Sequence, residues 1–338
     1  MTHLHLLEQL LKIDSPTGFT QHATAFIMET LRWYGYNPLL TAKGAVRCAL
    51  GPEPTLALAA HTDTLGAIVS GFHGNGTLRF SLLGGPLLPS FEGSYVRVYT
   101  LDNRTYTGTL LLNDPSTHAN NKASTIERTI ESMHIRLDET VVDKDDVRAL
   151  GIRIGDIIAF DTKYQALGSG YVKSHFLDNK AGCFVLFEVA RILSESGTTA
   201  PVELFFSAYE EVGHGGAPSY STAVDELLVI DMGVVGDSLE GSELKCSICA
   251  KDSGGPYDYD FRKKLVELAE KGAIPFALDV YPFYSSDGTA AWRAGADVRV
   301  ALIGPGVHAS HGMERTHVDG IQSTIDLCLA YINHRFNS

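Results

Sequence analysis

Four apolar runs of the sequence are each followed by acidic or imidazole side chains. In open α/β sheets, ligands bind beyond the carboxyl ends of the parallel strands, so side chains at these positions are candidates for binding and catalysis. If the four runs are neighbouring strands, two or three imidazoles and several carboxylates converge at one edge of a sheet. The segments are His61-Thr62-Asp63 after residues 55–60, Tyr209-Glu210-Glu211 after 202–208, Asp231 after 227–230, and His308-Ala309-Ser310-His311 after 298–303 and a Gly-Pro-Gly loop.

Asp178 is a fifth candidate, and it stands where an N-cap would begin the helix predicted for residues 182–193. Together with the strand-end residues it predicts a site for two divalent cations. Each cation needs about three to four protein ligands, and one carboxylate commonly bridges the pair. A set that is rich in carboxylates and lacks thiols suits zinc, cobalt or manganese, and zinc is the first expectation. Singly, each residue has a structural explanation as a core histidine or a cap, so the prediction depends on their convergence.

The adjacent pair Glu210-Glu211 has a defined chemical use. Consecutive residues that leave a strand point in different directions, so one carboxylate can bind a cation while the other stays free. A free carboxylate can accept a proton from the attacking water and deliver it to the leaving amine. The same geometry argues against a glycosidase built on this pair, because its acid and base must face each other across a sugar.

His61 and Asp63 are two residues apart and lie on one face if the strand continues. Asp63 is therefore expected to orient the imidazole of His61, as carboxylates do for many metal-binding histidines.

The elements that position these residues alternate between short apolar runs and helical patterns. This alternation predicts an α/β domain with a mixed, mostly parallel sheet sandwiched by helices. From about residue 68 to 164 the pattern changes to short alternating segments with Gly-rich turns, which predicts an inserted small β-barrel-like domain. The expected organisation is a catalytic domain in two parts, residues 1–67 and 165–338, interrupted by a β domain at 68–164.

Composition narrows the range of partners. The chain has 338 residues and a formal charge of −13, which disfavours nucleic acid and anionic membrane surfaces. The sequence has no run of about 18 apolar residues and no signal peptide, so a cytoplasmic location is expected. Five scattered cysteines, including Cys246-Ser-Ile-Cys249, suit buried reduced thiols better than disulfides or a metal site.

The order and spacing of the motifs resemble the glutamyl aminopeptidase or tetrahedral (TET) aminopeptidase family of dinuclear metallopeptidases. The matching segments are HTDTLG, LDNKAG, SAYEEVGHGGA, VIDMG and SHGME. The resemblance implies that one cation binds His61 and Asp231, the other binds Glu211 and His311, and Asp178 bridges both. It also implies Glu210 as the general base, with Asp63 supporting His61.

The resemblance further implies a metal-dependent aminopeptidase that acts on short peptides. It would use the β insertion to form dimers and could assemble into a hollow homo-oligomeric dodecamer. The alternatives are a related dinuclear-metal deacylase or carboxypeptidase, a non-catalytic metal- or peptide-binding protein, and a glucanase. His308 and His317 are alternatives to His311 as the last ligand.

Overall fold

The computed structural model describes residues 3–217 and 220–337 of the chain. The chain divides into two compact units, one formed by Met1–Asp63 and Lys163–Ser338 and the other by Thr64–Thr162. Every candidate site residue belongs to the first unit.

Helices and strands alternate along the first unit, whereas the second unit is mostly strands. The α-helices are, in chain order, α1 (Leu4–Lys12), α2 (Gln21–Trp33), α3 (Leu88–Phe91), α4 (Lys144–Ala149), α5 (Leu177–Glu195), α6 (Tyr259–Lys271), α7 (Asp287–Arg293) and α8 (Val318–Asn337). The strands are β1 (Leu39–Leu40), β2 (Val46–Ala49), β3 (Leu56–His61), β4 (Gly66–Phe72), β5 (Leu78–Leu83), β6 (Tyr95–Tyr99), β7 (Thr105–Leu112), β8 (Met133–Leu137), β9 (Ile157–Phe160), β10 (Gln165–Ala166), β11 (Tyr171–Ser174), β12 (Val202–Ser207), β13 (Glu226–Ile230), β14 (Gly233–Val235), β15 (Cys246–Lys251), β16 (Phe276–Val280), β17 (Arg299–His308) and β18 (Glu314–His317).

A mixed sheet forms the centre of the first unit. Its main path runs β1-β2-β12-β3-β13-β17-β18-β11-β10, and β14, β15 and β16 join it through β17. The four central strands β12, β3, β13 and β17 run parallel to one another. Every residue of β3, β12 and β13 is buried, which is the burial expected of parallel strands covered on both faces. The predicted mixed α/β fold is confirmed.

Helix periodicity in the sequence places the main helices well. In α1, the leucines at helical spacing are the buried ones, so this helix packs by a single apolar face. Helix α5 extends the helix predicted for residues 182–193 at both ends. Helix α5 is buried along almost its whole length and contacts α1, α8 and the central strands β3, β13 and β17. It is the element that fixes Asp178 relative to the sheet.

The second unit contains a closed antiparallel barrel in the order β4-β5-β8-β7-β6-β9. The tip of its β6–β7 hairpin lies at Asp102-Asn103, and Asn103 has a positive φ of 63°. The β-barrel-like character expected for the insertion is therefore confirmed.

The prediction that Gly-Pro-Gly forms a loop before His308 is wrong, because residues 304–306 are part of strand β17. This strand pairs with β13 as far as Ile303 and with β14 from Gly306 onwards, and residues 302–305 pair antiparallel with β15. Gly304 permits the continuation, since an added Cβ there would lie 1.6 Å from the carbonyl oxygen of Asp231. A glycine is needed at this point for the close approach of two backbones.

The five cysteines are all free and buried, as expected. Cys246 and Cys249 lie on β15, and burial raises the pKa of each thiol to about 12. In the described part of the chain, no helix is long and apolar enough to cross a membrane.

The close packing at Gly304 gives a direct test. Gly304→Ala should reduce the free energy of unfolding by about 1–3 kcal/mol, because the new methyl group displaces the Asp231 backbone. Urea denaturation measures this loss. Gly236→Ala is the matched control, since its Cβ would meet no atom within 4 Å and should change stability little. Equal stability of the two variants would contradict the packing argument.

Candidate metal centre

The parallel register of the central strands brings their carboxyl ends together. His61 is the last residue of β3 and pairs with Ser207, the last residue of β12. Asp231 directly follows β13. The last residue of that strand, Ile230, pairs with Ile303 of β17. The segment that carries Glu210 follows β12 after two residues. The convergence expected from the sequence is therefore present in the fold.

Asp178 does not cap α5 as the sequence suggested. Asp178 and Asn179 depart from helical dihedral angles, and the peptide bond between them is cis. The Asn179 Oδ1 accepts a hydrogen bond of 3.1 Å from the Gly182 amide, so Asn179 fills the capping position. The Asn179 side chain also donates to the Ile230 carbonyl at 2.8 Å. The Asp178 carboxylate is thereby released from helix capping and faces the histidines.

Two groups of side chains share Asp178. One consists of His61, Asp178 and Asp231, and the other of Asp178, Glu211 and His311; in each, the candidate ligand atoms lie within 4.8 Å of one another. The Asp178 Oδ1 is 3.0 Å from His61 Nε2, and its Oδ2 is 3.6 Å from His311 Nε2. The two oxygens of one carboxylate thus face different histidines. This is the geometry that a bridging ligand requires.

The tautomer of His61 follows from its neighbour. Its Nδ1 is 2.9 Å from the carbonyl oxygen of Asp63, which can only accept a hydrogen bond, so Nδ1 carries the hydrogen. In the cation-free protein Nε2 donates to the Asp178 Oδ1 at 3.0 Å, and loss of that single proton leaves a lone pair on the side that faces Asp178 and Asp231. Such a histidine is ready to bind a cation.

The Asp63 side chain supports a different element from the one expected. Its carboxylate is 3.6 Å from His61 Nδ1, too far for a hydrogen bond. It accepts instead from the backbone amides of Glu210 at 3.1 Å and Glu211 at 3.3 Å, and from the Thr17 hydroxyl at 2.7 Å. Asp63 thus orients His61 through its backbone and holds the Glu-Glu turn through its carboxylate.

Glu210 and Glu211 form a short 3-10 turn that ends at Gly213. Glu211 belongs to the second group of candidate ligands, whereas Glu210 belongs to neither. The Glu210 Oε2 lies 3.6 Å from His61 Nε2. The two carboxylates therefore point to different places, as expected for a ligand beside a free base.

His311 is the histidine that reaches the cluster. It lies in the turn between β17 and β18 with a positive φ of 60°. His308 ends β17 with an exposed side chain, and His317 bonds the Ser169 carbonyl at 2.9 Å. The geometry therefore favours His311 over the two alternatives.

Glu314 is a supporting residue that sequence reasoning missed. It is 1% exposed, and its two oxygens accept from the backbone amides of His311 and Asp178, each at 3.0 Å. The buried Glu314 carboxylate therefore links the segment that carries Asp178 to the segment that carries His311. Its signal in the sequence was its place at the end of the SHGME segment, three residues after His311.

The electrostatics of the site are dominated by buried negative charge. Burial raises the pKa of Glu210, Glu211 and Glu314 well above the ordinary glutamate value, and neighbouring carboxylates raise it further. Burial together with the Asp178 charge raises the pKa of Asp231 to about 7. Burial alone would lower the pKa of His61, but the carboxylates, Glu210 first, raise it well above its usual range.

The described residues around the cluster line a cavity of about 160 Å³. Its lining contains no lysine or arginine among those residues, and it includes four side chains that the sequence did not single out as site residues. They are Met232, Phe283, Tyr284 and Ser285. The orientation of Phe283, Tyr284 and Ser285 depends on the path of the chain after β16, which the sequence does not reveal.

The donor set fits two divalent cations. It offers imidazole nitrogens and carboxylate oxygens and no thiolate, which suits borderline and hard divalent ions. The buried Glu211 Oε1 has no hydrogen-bond partner among the described residues. Buried carboxylates without partners are costly, and a bound cation removes that cost.

Comparisons with known proteins show which proteins this chain is similar to. The chain is 38% identical to the putative aminopeptidase YhfE of Bacillus subtilis (strain 168) over 334 residues, covering 97% of this chain and 96% of that protein. Among solved structures, aminopeptidase APDkam598 from the archaeon Desulfurococcus kamchatkensis aligns with a TM-score of 0.86 at 23% identity, covering 98% of this chain and 94% of that chain. The Pyrococcus horikoshii TET1 peptidase aligns with a TM-score of 0.86 at 21% identity, covering 98% and 99%. At these identities the two structural alignments establish a shared fold.

These matches place the chain among aminopeptidases, which are hydrolases of peptide bonds. Within that class it belongs to the M42 glutamyl aminopeptidase family, whose sequence profile matches residues 44–327. The resemblance inferred from the motifs is confirmed.

The raised carboxyl pKa values predict a pH dependence of the cation-free protein. A buried acid with a raised pKa favours folding while protonated, and this contribution is lost as pH rises from the ordinary Asp231 value of 3.8 towards about 7. Bound cations replace those protons. The difference in Tm between cation-loaded and chelator-treated protein should therefore grow between about pH 5 and about pH 8.

Differential scanning calorimetry with and without a chelator measures this difference. Asp231→Asn removes one titrating acid from the cluster. In this variant, the Tm of the chelator-treated protein should depend less on pH. A Tm difference that stays constant across this pH range would show that the carboxylates do not exchange protons for cations.

Proposed function

We propose that the protein is a metal-dependent aminopeptidase that binds two divalent cations and uses Glu210 as its general base. In this proposal His61 and Asp231 hold one cation, Glu211 and His311 hold the other, and Asp178 binds both. The observation that carries the proposal is the sharing of Asp178 by two ligand groups, with Glu210 outside both and beside them. Zinc is the first expectation for the metal, with cobalt or manganese as alternatives.

Two cations in these positions would lower the pKa of water and polarise the scissile carbonyl. Glu210 accepts the proton from the attacking water and delivers it to the departing amine. Its raised pKa in the cation-free cluster favours the protonated form, and nearby positive charge shifts it towards the carboxylate needed by a base. Asp63 keeps Glu210 in place by accepting its backbone amide.

Short peptides with a free N-terminus are the proposed substrates. We also propose a homo-oligomer built from dimers, up to a dodecamer. The solved structure of PhTET1-12s has a dodecamer in its asymmetric unit, and the P. horikoshii TET1 peptidase can assemble into a tetrahedron or a large octahedral shell. Light scattering after size-exclusion chromatography tests the assembly, and a monomer would refute it. The cytoplasmic location expected from the sequence remains a prediction.

A dinuclear-metal deacylase or carboxypeptidase would use the same side chains on a different substrate end. Membership in the M42 family favours the aminopeptidase. A peptide library with free, N-acetylated and C-amidated members separates the three activities. Release of N-terminal residues from free and C-amidated peptides alone supports the proposal, whereas cleavage confined to N-acetylated peptides would overturn it.

Glu210→Gln should reduce kcat by about 10²–10⁴-fold, because an amide cannot accept the proton of the attacking water. Its metal content should stay at two ions, since Glu210 lies outside both ligand groups. Peptide hydrolysis and elemental analysis on one preparation measure both quantities. Glu195→Gln, an exposed residue on α5, is the matched control and should keep wild-type turnover. Wild-type turnover in Glu210→Gln would disprove the base assignment.

His311→Ala should lower metal content from two ions towards one and abolish most activity, because it removes a ligand of one group only. His308→Ala is the matched control on the same β-hairpin and should keep both ions. Elemental analysis after dialysis measures the stoichiometry. Full metal content in His311→Ala, or its loss in His308→Ala, would assign the last ligand to another residue.

A further inference from the structure

Tyr284 has a buried hydroxyl that makes no hydrogen bond with any described residue. The residue lines the cavity that contains Glu210, Glu211 and Asp231. Buried polar groups are normally paired, so a lone hydroxyl beside a catalytic cluster needs an explanation. Structural packing does not supply one, because the hydroxyl bonds nothing that it could hold in place.

The position of the Tyr284 ring is fixed by contacts that do not involve the hydroxyl. Its backbone carbonyl accepts a hydrogen bond of 2.8 Å from the Ser253 amide. Its ring packs edge-on against Tyr281 at a centroid distance of 5.5 Å, beside the apolar core of the sheet. The hydroxyl is therefore held at a defined place in the cavity wall without being used by the fold.

The charges around this hydroxyl favour a donor. The carboxylates of Asp231, Asp178 and Glu210 all act on it electrostatically. Carboxylates accept hydrogen bonds only, and a phenol in a negative field keeps its hydrogen. Of the described cavity-lining side chains, the only hydroxyls are those of Tyr284 and exposed Ser285. A substrate carbonyl that enters the cavity brings the acceptor that the Tyr284 hydroxyl lacks.

We propose that the Tyr284 hydroxyl donates a hydrogen bond to the scissile carbonyl oxygen as that oxygen gains negative charge. The phenol keeps its hydrogen throughout, so no proton is transferred at this residue. A fixed donor aimed at developing charge stabilises the transition state more than the substrate. This inference rests on the proposed peptidase function and adds a catalytic residue to it.

Tyr284→Phe removes one oxygen atom and leaves the ring contacts in place. We expect kcat to fall by about 10- to 100-fold, less than for a sole oxyanion donor because bound cations share the charge. KM should change by less than about threefold, and metal content should not change. Tm should stay equal or rise, since no hydrogen bond is lost.

A dipeptide analogue with a tetrahedral phosphinate in place of the scissile amide gives a second readout. Isothermal titration calorimetry should show that Tyr284→Phe weakens its binding by the same factor as kcat, because the phosphinate oxygen copies the charged carbonyl oxygen. An intact peptide substrate serves as the comparison ligand, because Glu210→Gln binds it without cleaving it. The double variant Glu210→Gln with Tyr284→Phe should bind this peptide as tightly as the single variant Glu210→Gln does. Tyr34→Phe is the matched control. Tyr34 directly follows α2, and its buried hydroxyl also lacks a described partner.

The inference would be overturned if Tyr284→Phe kept the wild-type kcat and phosphinate affinity. A lower Tm or a lower metal content in this variant would also overturn it, because the hydroxyl would then have a structural role. Whatever the result for Tyr284→Phe, the proposed function is supported if the wild-type protein hydrolyses peptides and Glu210→Gln does not. If wild type hydrolyses no peptide, the proposed function fails separately. The phosphinate titration then still decides whether Tyr284 binds a tetrahedral anion.

Discussion

The structure depends on one electrostatic constraint, the crowding of buried carboxylates at the carboxyl edge of the central sheet. Asp178, Asp231 and Glu314 are each at most 6% exposed, and Glu210 and Glu211 lie beside them. Charges so close together in a poorly solvated place repel each other unless protons or cations neutralise them. The described cavity lining provides no lysine or arginine for this purpose. The fold has therefore assembled a site whose negative charge calls for bound cations.

The scaffold holds these carboxylates with backbone groups instead of side-chain cations. Asp63 accepts the amides of the Glu-Glu turn, and Glu314 accepts the amides of Asp178 and His311. Amide donors stabilise a carboxylate without adding a full positive charge that would compete with a metal. Small residues make these approaches possible. At Gly182, an added Cβ would lie 2.6 Å from the Ile230 carbonyl and 2.2 Å from Asn179 Oδ1. The break in α5 therefore depends on close backbone packing against β13.

The positions of His61 and Asp231 could be predicted because they depend on a general rule. Parallel strands end at a common edge, and the apolar runs in the sequence show where each strand ends. The roles of Asp178 and Asp63 were only partly accessible. Whether a residue at a helix start caps the helix depends on dihedral angles that the sequence does not reveal, and here Asn179 takes the cap. Likewise, the direction of the Asp63 carboxylate depends on where the Glu-Glu turn passes, which is a tertiary property.

Glu314, Gly304 and Tyr284 lay beyond prediction for a related reason. Each matters through contact with a segment distant in sequence. Glu314 ends the SHGME segment, but its contact with Asp178 depends on the tertiary fold. The same tertiary contacts couple cation binding to the chemistry of Glu210. In the cation-free cluster, burial and the neighbouring carboxylates favour its protonated form, which cannot act as a base. Positive charge bound by the neighbouring ligands opposes both effects. In the proposed enzyme, cation binding and base activation are therefore a single event, so a partly loaded site lacks both a complete ligand set and a competent base.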